Sequence, residues 1–188
     1  MSDWTSQSPG EHHILAQLDC GRDELDRWLL NEALRAQAAG IAHTTVWTRP
    51  DDLVVVAFYA IAPTQFMRTD LPSRSLSAGY STIPGYLLAR LALNQGLHGR
   101  GLGTHLLLDA LERFAAAATN AGGRLIAVDA LDDAARRFYR HHDFQPIQGS
   151  RRLSKDAART TPDRCRPPRA WPVRRAAWKP RAPAACLA

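Results

Sequence analysis

The sequence predicts an α/β fold from three observations. Strand-like and helix-like stretches alternate over the first 150 residues, two β-branched runs meet across a turn-rich connection, and a buried run passes through a glycine-rich loop into a long amphipathic helix. Taken in order, Ile14–Leu18 (ILAQL) suits a short strand. Cys20 and Gly21 turn the chain into a helix with an apolar face of Leu25, Trp28, Leu29, Ala33 and Ala36, and Gly40 suits its end. Thr44–Thr48 and Leu53–Ile61 form a hairpin about the connection Arg49, Pro50, Asp51, Asp52. Pro63–Gly85 is rich in Ser, Pro and Gly and offers only short helical pieces, after which Tyr86–Leu93 reads as a buried strand. The loop Gly96–Gly103 (GLHGRGLG) opens a helix carrying Leu106, Leu107, Ala110, Leu111 and Phe114 on one face, stopped by Gly122 and Gly123. Leu125–Ala130 is a strand, Asp132 or Asp133 caps a helix through His142, and Phe144–Ile147 is a last short strand. In that helix Phe138 shares a face with Ala135, and Tyr139 lies about 100° round, so only the phenylalanine is expected in the core.

At 188 residues the chain has room for one domain with an appendage. The longest strongly apolar run, Leu53–Ala62, is well short of the roughly 18 residues of a membrane span. The start MSDWTSQSPGEHH has neither a basic opening nor an apolar signal core, so the expected location is the cytoplasm. Cys20, Cys165 and Cys186 are odd in number and widely spaced, which predicts free thiols. The pairs His12–His13 and His141–His142 lack a third ligand and read as surface residues, so no metal is expected. The net charge of +6 is unevenly placed: residues 1–150 hold 13 Arg against 16 acidic groups, whereas residues 151–188 hold 9 Arg and 2 Lys against Asp156 and Asp163. Arg, Pro and Ala make up 24 of those 38 residues with no apolar period, and a basic tail, 154–188, is expected to be disordered.

Gly99, Gly101 and Gly103 leave backbone NH groups uncovered at a helix start, where unpaired donors and the helix dipole attract a phosphate. Arg100 can add a charge-assisted contact. The spacing is GxGxG, not the GxGxxG of dinucleotide folds, and no Gly-Lys-Ser/Thr follows, so a different phosphate ligand is wanted.

HGRGLG (98–103) resembles the Arg/Gln-x-x-Gly-x-Gly/Ala signature of the GNAT superfamily of acyl-CoA-dependent N-acyltransferases. The chain is more closely similar to the GNAT toxins of type II toxin–antitoxin modules, over about residues 14–147. The stretches that carry the likeness are LDCGRDELDRWLLNEALRAQAAGIAHTTVW (18–47), VVVAFYAIAP (54–63), IPGYLLARLALNQGLHGRGLGTHLLLDAL (83–111) and IAVDALDDAARRFYRHHDF (126–144). The resemblance implies a GNAT domain at 10–153 with a mixed, mostly antiparallel sheet flanked by helices. It implies acetyl-CoA as donor and acetylation of the α-amino group of aminoacyl-tRNA, which halts translation. A homodimer and a DNA-binding antitoxin are implied by resemblance as well. Tyr139 matches the tyrosine that serves as general acid. The backbone of Leu91, Ala92 and Leu93 lies where the pantetheine arm pairs, and His98, Gly99, Arg100, Gly101, Leu102, Gly103 and Thr104 hold the pyrophosphate. His98 stands where Gln or Arg is usual, Asn94 where Asp is, and Asp143 where Gly is; the final apolar strand is expected to be mostly absent after Leu153, exposing its neighbours' edges.

The chemistry suits these residue types. An α-amino group has a pKa of about 7.7–8, lower when its carboxyl is esterified, so no strong base is essential. A tyrosine, with a pKa near 10, is a competent proton donor to a leaving thiolate whose pKa is about 8.5. A tRNA acceptor needs a local cationic patch on a net negative body, and Arg22, Arg27, Arg35 and Arg90 are the candidates. Two other functions remain open at this point. One is a GNAT enzyme acting on a small amine or a protein N-terminus, and the other is a catalytically degenerate protein whose tail binds nucleic acid or a partner through charge, Trp171 and Trp178.

Overall fold

One long antiparallel pair forms the spine of the fold. β3 (Ala57–Met67) and β4 (Thr82–Leu93) pair from Ala57 opposite Leu93 to Met67 opposite Thr82. The computed structural model describes residues 4–71, 73–147 and 152–156. Around the spine the chain runs β1 (Thr5–Gln7), α1 (Asp23–Asn31), α2 (Ala33–Ala38) and β2 (His43–Thr48). After β4 come α3 (Leu102–Ala121), β5 (Leu125–Asp129), α4 (Asp133–His141), β6 (Gln145–Pro146) and β7 (Arg152–Asp156). The strand order is β1-β2-β3-β4-β5-β7-β6, and every neighbouring pair is antiparallel except β4 with β5. The mixed sheet flanked by helices agrees with the sequence reading.

Alternation along the strands sends side chains to two cores. Trp47, Tyr59, Ile126 and Val128 pack under α3 and α4 with Leu106, Leu107, Phe114 and Tyr139, while Val46, Val55, Phe58 and Ala92 pack under α1 and α2 with Leu25, Leu29 and Ala33. One carboxylate ties the first of these layers together. Asp109 Oδ2 on α3 accepts from Ser6 Oγ at 2.5 Å, Trp47 Nε1 at 2.8 Å and the Tyr59 hydroxyl at 3.0 Å, linking β1, β2 and β3 to the helix.

The irregular part of β4 shapes the site. The register passes from Ala60 opposite Arg90 to Ile61 opposite Leu88, so Ala89 is an extra residue in β4. A bulge bends its strand and increases local twist. Pairing with β5 covers only Gly85–Leu88 and ends at that bulge, so the two strands part beyond it. Below the parting they approach so closely that a Cβ on Gly85 would lie 2.3 Å from the Leu125 carbonyl oxygen, which is why only glycine serves there.

Several expectations change. Ile14–Leu18 is not a strand; it makes a single bridge, Ile14 to Val54, while β1 lies earlier, at Thr5–Gln7. The first helix is two, broken at Glu32. β3 begins at Ala57 and, with β4, takes in both ends of the Ser/Pro/Gly-rich stretch, leaving short 3-10 turns at Arg68–Asp70 and Arg74–Ser77 between them. Both Phe138 and Tyr139 enter the core, and the tyrosine is the more buried, because α4 is covered on two sides. The last strand is present: β7 pairs with β5 from Leu125 opposite Asp156 to Asp129 opposite Arg152, so the β5 edge is filled. The sheet thus reaches beyond 10–153 at both ends. His13 is buried, its Nδ1 accepting from the Gly10 NH at 2.9 Å. Cys20 is free and buried, with its thiol pushed up to about 12, chiefly by burial. Cys165, Cys186, Trp171, Trp178 and nearly all of the basic tail lie outside the described residues.

Candidate active site

The parting of β4 from β5 opens a cleft of about 110 Å³ lined by Leu88, Ala89, Arg90 and Leu91 of β4, Asp129 at the end of β5 and Leu131 beyond it, Glu24 and Leu25 of α1, and Ala135 and Tyr139 of α4. On their β3 side Leu91, Ala92 and Leu93 are paired with Tyr59, Phe58 and Ala57. On the other side no β5 residue pairs with them, so main-chain groups there, apart from the Leu93 carbonyl that the His98 ring meets, are offered to the cleft. A chain of amides laid in the cleft can take the place of the missing strand.

Tyr139 closes one wall. Its ring is held edge-on by Phe138, at 5.2 Å between centroids, and by Phe144 at 5.6 Å. Only 8% of the residue is exposed, and burial raises its pKa well above the ordinary tyrosine range. The hydroxyl has no hydrogen-bond partner among the described residues, and, unlike the ring, it is not sealed from solvent, so it reaches the cleft. A protonated donor without an acceptor, facing a cleft, is suited to meet a bound group. Phe138 is placed differently: its ring lies against Gly103 of α3, 3.8 Å from where a Cβ would be, and meets His142 at 4.9 Å.

The glycine loop sits at the upper end of β4. Gly99 and Gly101 have φ of +74° and +76°, the left-handed region that favours glycine, and a Cβ at either would meet nothing within 4 Å. The loop is therefore open on the ligand side. α3 starts at Leu102 with no side-chain cap and no acidic residue in its first turn; the Thr104 NH donates to the Gly101 carbonyl at 3.0 Å, which leaves the amides before it for an anion. His98 turns away from that opening. Its Nε2 lies 2.8 Å from the Leu93 carbonyl, so the ring ties the loop to β4. Thr104 Oγ1 lies 3.3 Å from His142 Nε2, joining α3 to α4 across the site. Arg100 is exposed and borders a second cavity with Leu97, Leu102, Trp4, Arg49 and Pro50.

The four candidate tRNA-binding arginines are not gathered into one bare patch. Arg22 pairs with Asp132, the N-cap of α4; Arg27 pairs with Asp23 at 3.3 Å and Arg35 with Glu32 at 3.3 Å. Arg90 lies beside the cleft, its guanidinium 5.4 Å from the Trp28 ring centre and its Nη1 donating to the Ala89 carbonyl at 2.7 Å. Glu24 and Asp129 are cleft residues that sequence reasoning missed, since nothing in their periodicity marks them. Asp129 is held by Arg152 through contacts of 2.8 and 3.2 Å, whereas Glu24 is exposed. Among the described residues no three His, Cys, Asp or Glu side chains gather in a metal-binding group.

The bulged β4, the parting from β5 and the uncapped helix behind a glycine loop agree with what the comparisons find. The model of the acetyltransferase (GNAT) family matches residues 77–144. A tRNA-acetylating toxin of Mycobacterium tuberculosis is 42% identical over 125 residues, 66% of this chain and 74% of the relative. The structure of AtaT complexed with acetyl-methionyl-tRNAfMet superposes with a TM-score of 0.78 at 26% identity, covering 84% of this chain and 96% of that one. AtaTR bound with AcCoA gives 0.74 at 26% identity, covering 85% and 97%. The chain belongs to the GNAT acetyltransferase family. It is accordingly an acetyltransferase with acetyl-CoA as donor, and the open β4 edge, the bare α3 start and the partnerless hydroxyl fit that molecule's amides, pyrophosphate and sulfur in turn.

Proposed function

We propose that the protein is the toxin of a toxin–antitoxin module and acetylates the α-amino group of aminoacyl-tRNA, so blocking translation. The observation that carries this reading is the Tyr139 hydroxyl, protonated and partnerless at the end of a buried ring, in the cleft where β4 leaves β5. The likeness to the M. tuberculosis toxin and to AtaT with its acetylated tRNA supports the choice of acceptor.

In this reading the main chain of Leu91, Ala92 and Leu93 pairs with the pantetheine amides, and the loop His98–Thr104 holds the pyrophosphate through the amides between its ends, those of His98 and Thr104 being bonded to the Gln95 and Gly101 carbonyls, with Arg100 beside them. The amine attacks the thioester carbonyl as a C–N bond forms and the C–S bond breaks. Tyr139 gives its proton to the departing sulfur, and the surplus proton on nitrogen returns through solvent to the tyrosinate, restoring the hydroxyl. Arg22, Arg27, Arg35 and Arg90 line the tRNA side. Three of them meet an acidic residue first, so tRNA phosphates compete with Asp132, Asp23 and Glu32 for them. A cytoplasmic homodimer held in check by a DNA-binding antitoxin completes the proposal.

The test is incubation of the purified protein with labelled acetyl-CoA and total charged bacterial tRNA, beside Tyr139→Phe. Label on aminoacyl-tRNA from the wild type, lost in the variant, is the expected result. Acetyl-CoA binding without label on tRNA overturns the acceptor.

A further inference from the structure

A cavity of about 580 Å³ lies at the end of the sheet beside the glycine loop, bounded by Trp4, Arg49, Pro50, Leu97, Arg100 and Leu102. Its wall is a built aromatic surface. Trp4 stacks on Trp47 with centroids 6.3 Å apart and planes 10° from parallel, and Trp47 is itself fixed by its Nε1 bond to Asp109 at 2.8 Å. The Arg49 guanidinium stands 5.9 Å from the Trp4 ring centre. Arg100 reaches the same cavity from the loop.

Arg22, Arg27, Arg35, Arg113, Arg124 and Arg152 each have a carboxylate within 4 Å. Arg49 and Arg100 share with Arg90 of the other cleft the lack of a carboxylate partner among the described residues, and they alone of these three border this cavity. A half-buried indole with two unneutralised guanidinium groups is what a purine carrying a phosphate requires: a face to stack on and charge-assisted donors for the phosphate oxygens. The cavity shares Arg100 and Leu102 with the loop that receives the pyrophosphate, and in coenzyme A the adenosine and its 3′-phosphate follow directly on the pyrophosphate. The terminal adenosine of a tRNA offers a similar base. It belongs, however, with the amine that must reach Tyr139, and Tyr139 lines the other cleft.

We infer that Trp4, Arg49 and Arg100 form the subsite for the 3′-phosphoadenosine end of coenzyme A, the adenine over Trp4 and the 3′-phosphate between the two arginines. This rests on the acetyl-CoA reading of the glycine loop and deepens it, since the strand that supplies Trp4 becomes part of the donor site.

The test is calorimetric binding of coenzyme A and of dephospho-coenzyme A, which lacks only the 3′-phosphate, to the full chain and to Arg49→Gln and Trp4→Ala. Wild type is expected to prefer coenzyme A by about tenfold at low salt, the scale of one charge-assisted contact at a part-exposed site, and less at high salt. Arg49→Gln should lose most of that preference while binding dephospho-coenzyme A as wild type does. Trp4→Ala should weaken both ligands alike, and circular dichroism checks that it is folded. Adenosine 3′,5′-bisphosphate should quench tryptophan fluorescence in wild type and lose that effect in Trp4→Ala. Equal affinity of wild type for the two coenzymes, or an unchanged preference in Arg49→Gln, overturns the subsite and leaves the pyrophosphate loop standing. Failure of both coenzymes to bind overturns the two together.

Discussion

The glycine loop and the tyrosine cleft flank the same parting of the sheet, yet one is made of main chain and the other of side chains. At the loop, φ values near +75° and an uncapped helix start present amides, and His98 faces back to the Leu93 carbonyl. At the cleft, the group proposed to do the chemistry is a single hydroxyl on a ring held by Phe138 and Phe144. A site built of amides tolerates changed side chains so long as its backbone path survives. On this view His98 can stand where the family signature that the sequence resembles has Gln or Arg. A site built on one atom tolerates nothing at that atom.

The largest effect expected from this contrast is at Tyr139. Tyr139→Phe should lower acetyl transfer by roughly 10²–10⁴-fold, the usual contribution of a general acid, while acetyl-CoA affinity stays near wild type by calorimetry. The pH profile sharpens this. Burial raises the Tyr139 pKa, so its proton is present throughout the neutral range; wild-type rates should climb as the amine deprotonates near pH 7–8 and show no decline before about pH 10. A fall in rate between pH 8 and 9 would assign the acid to another group.

Next is the seam that joins the two regions. Gly85→Ala forces a methyl against the Leu125 carbonyl and the Phe66 ring, and a stability loss of about 1–3 kcal/mol is expected in urea unfolding. At the loop, Gly101→Val sets a β-branched residue at φ +76°, a strain of at least roughly 1–2 kcal/mol, and acetyl-CoA affinity should drop by about tenfold or more. His98→Ala should cost only severalfold in affinity, since the ring ties the loop without facing its open side; a loss as large as that of Gly101→Val would make the loop a side-chain site after all. The smallest effect is at Arg27, whose pair with Asp23 is largely exposed. Arg27→Gln should change stability by no more than about 0.5 kcal/mol, and a flatter salt dependence of tRNA acetylation, by about 1 in slope, is the mark of a phosphate contact.

The parts of this architecture that depend on local sequence were readable from it. Glycines at alternate positions before a regular apolar face announce the loop and α3, and of the two cap candidates Asp132 and Asp133 it is Asp132 that accepts from the Ala135 NH at 2.7 Å. What depends on neighbours was not. Nothing in Tyr86–Leu93 marks Ala89 as an extra residue, because the bulge is a mismatch of lengths between β3 and β4. Arg152–Asp156 carries one large apolar side chain, Leu153, and becomes a strand because the open edges of β5 and β6 accept it on either side. The break at Glu32 interrupts a helical period that continues unaltered on both sides, without glycine or proline to signal it. Trp4 and Arg49, the walls of the second cavity, lie on either side of the β1–β2 pair and come together only through it.

The carboxylate of Asp109 also sets an order in time. During synthesis Ser6 leaves the ribosome 103 residues ahead of the acceptor its hydroxyl needs, and Trp47 and Tyr59 likewise wait for Asp109. β1 can pair with β2 once residue 48 has been made, but the side-chain bonds that fasten β1, β2 and β3 to the helix layer must wait for the third helix, so the sheet is drawn before it is locked.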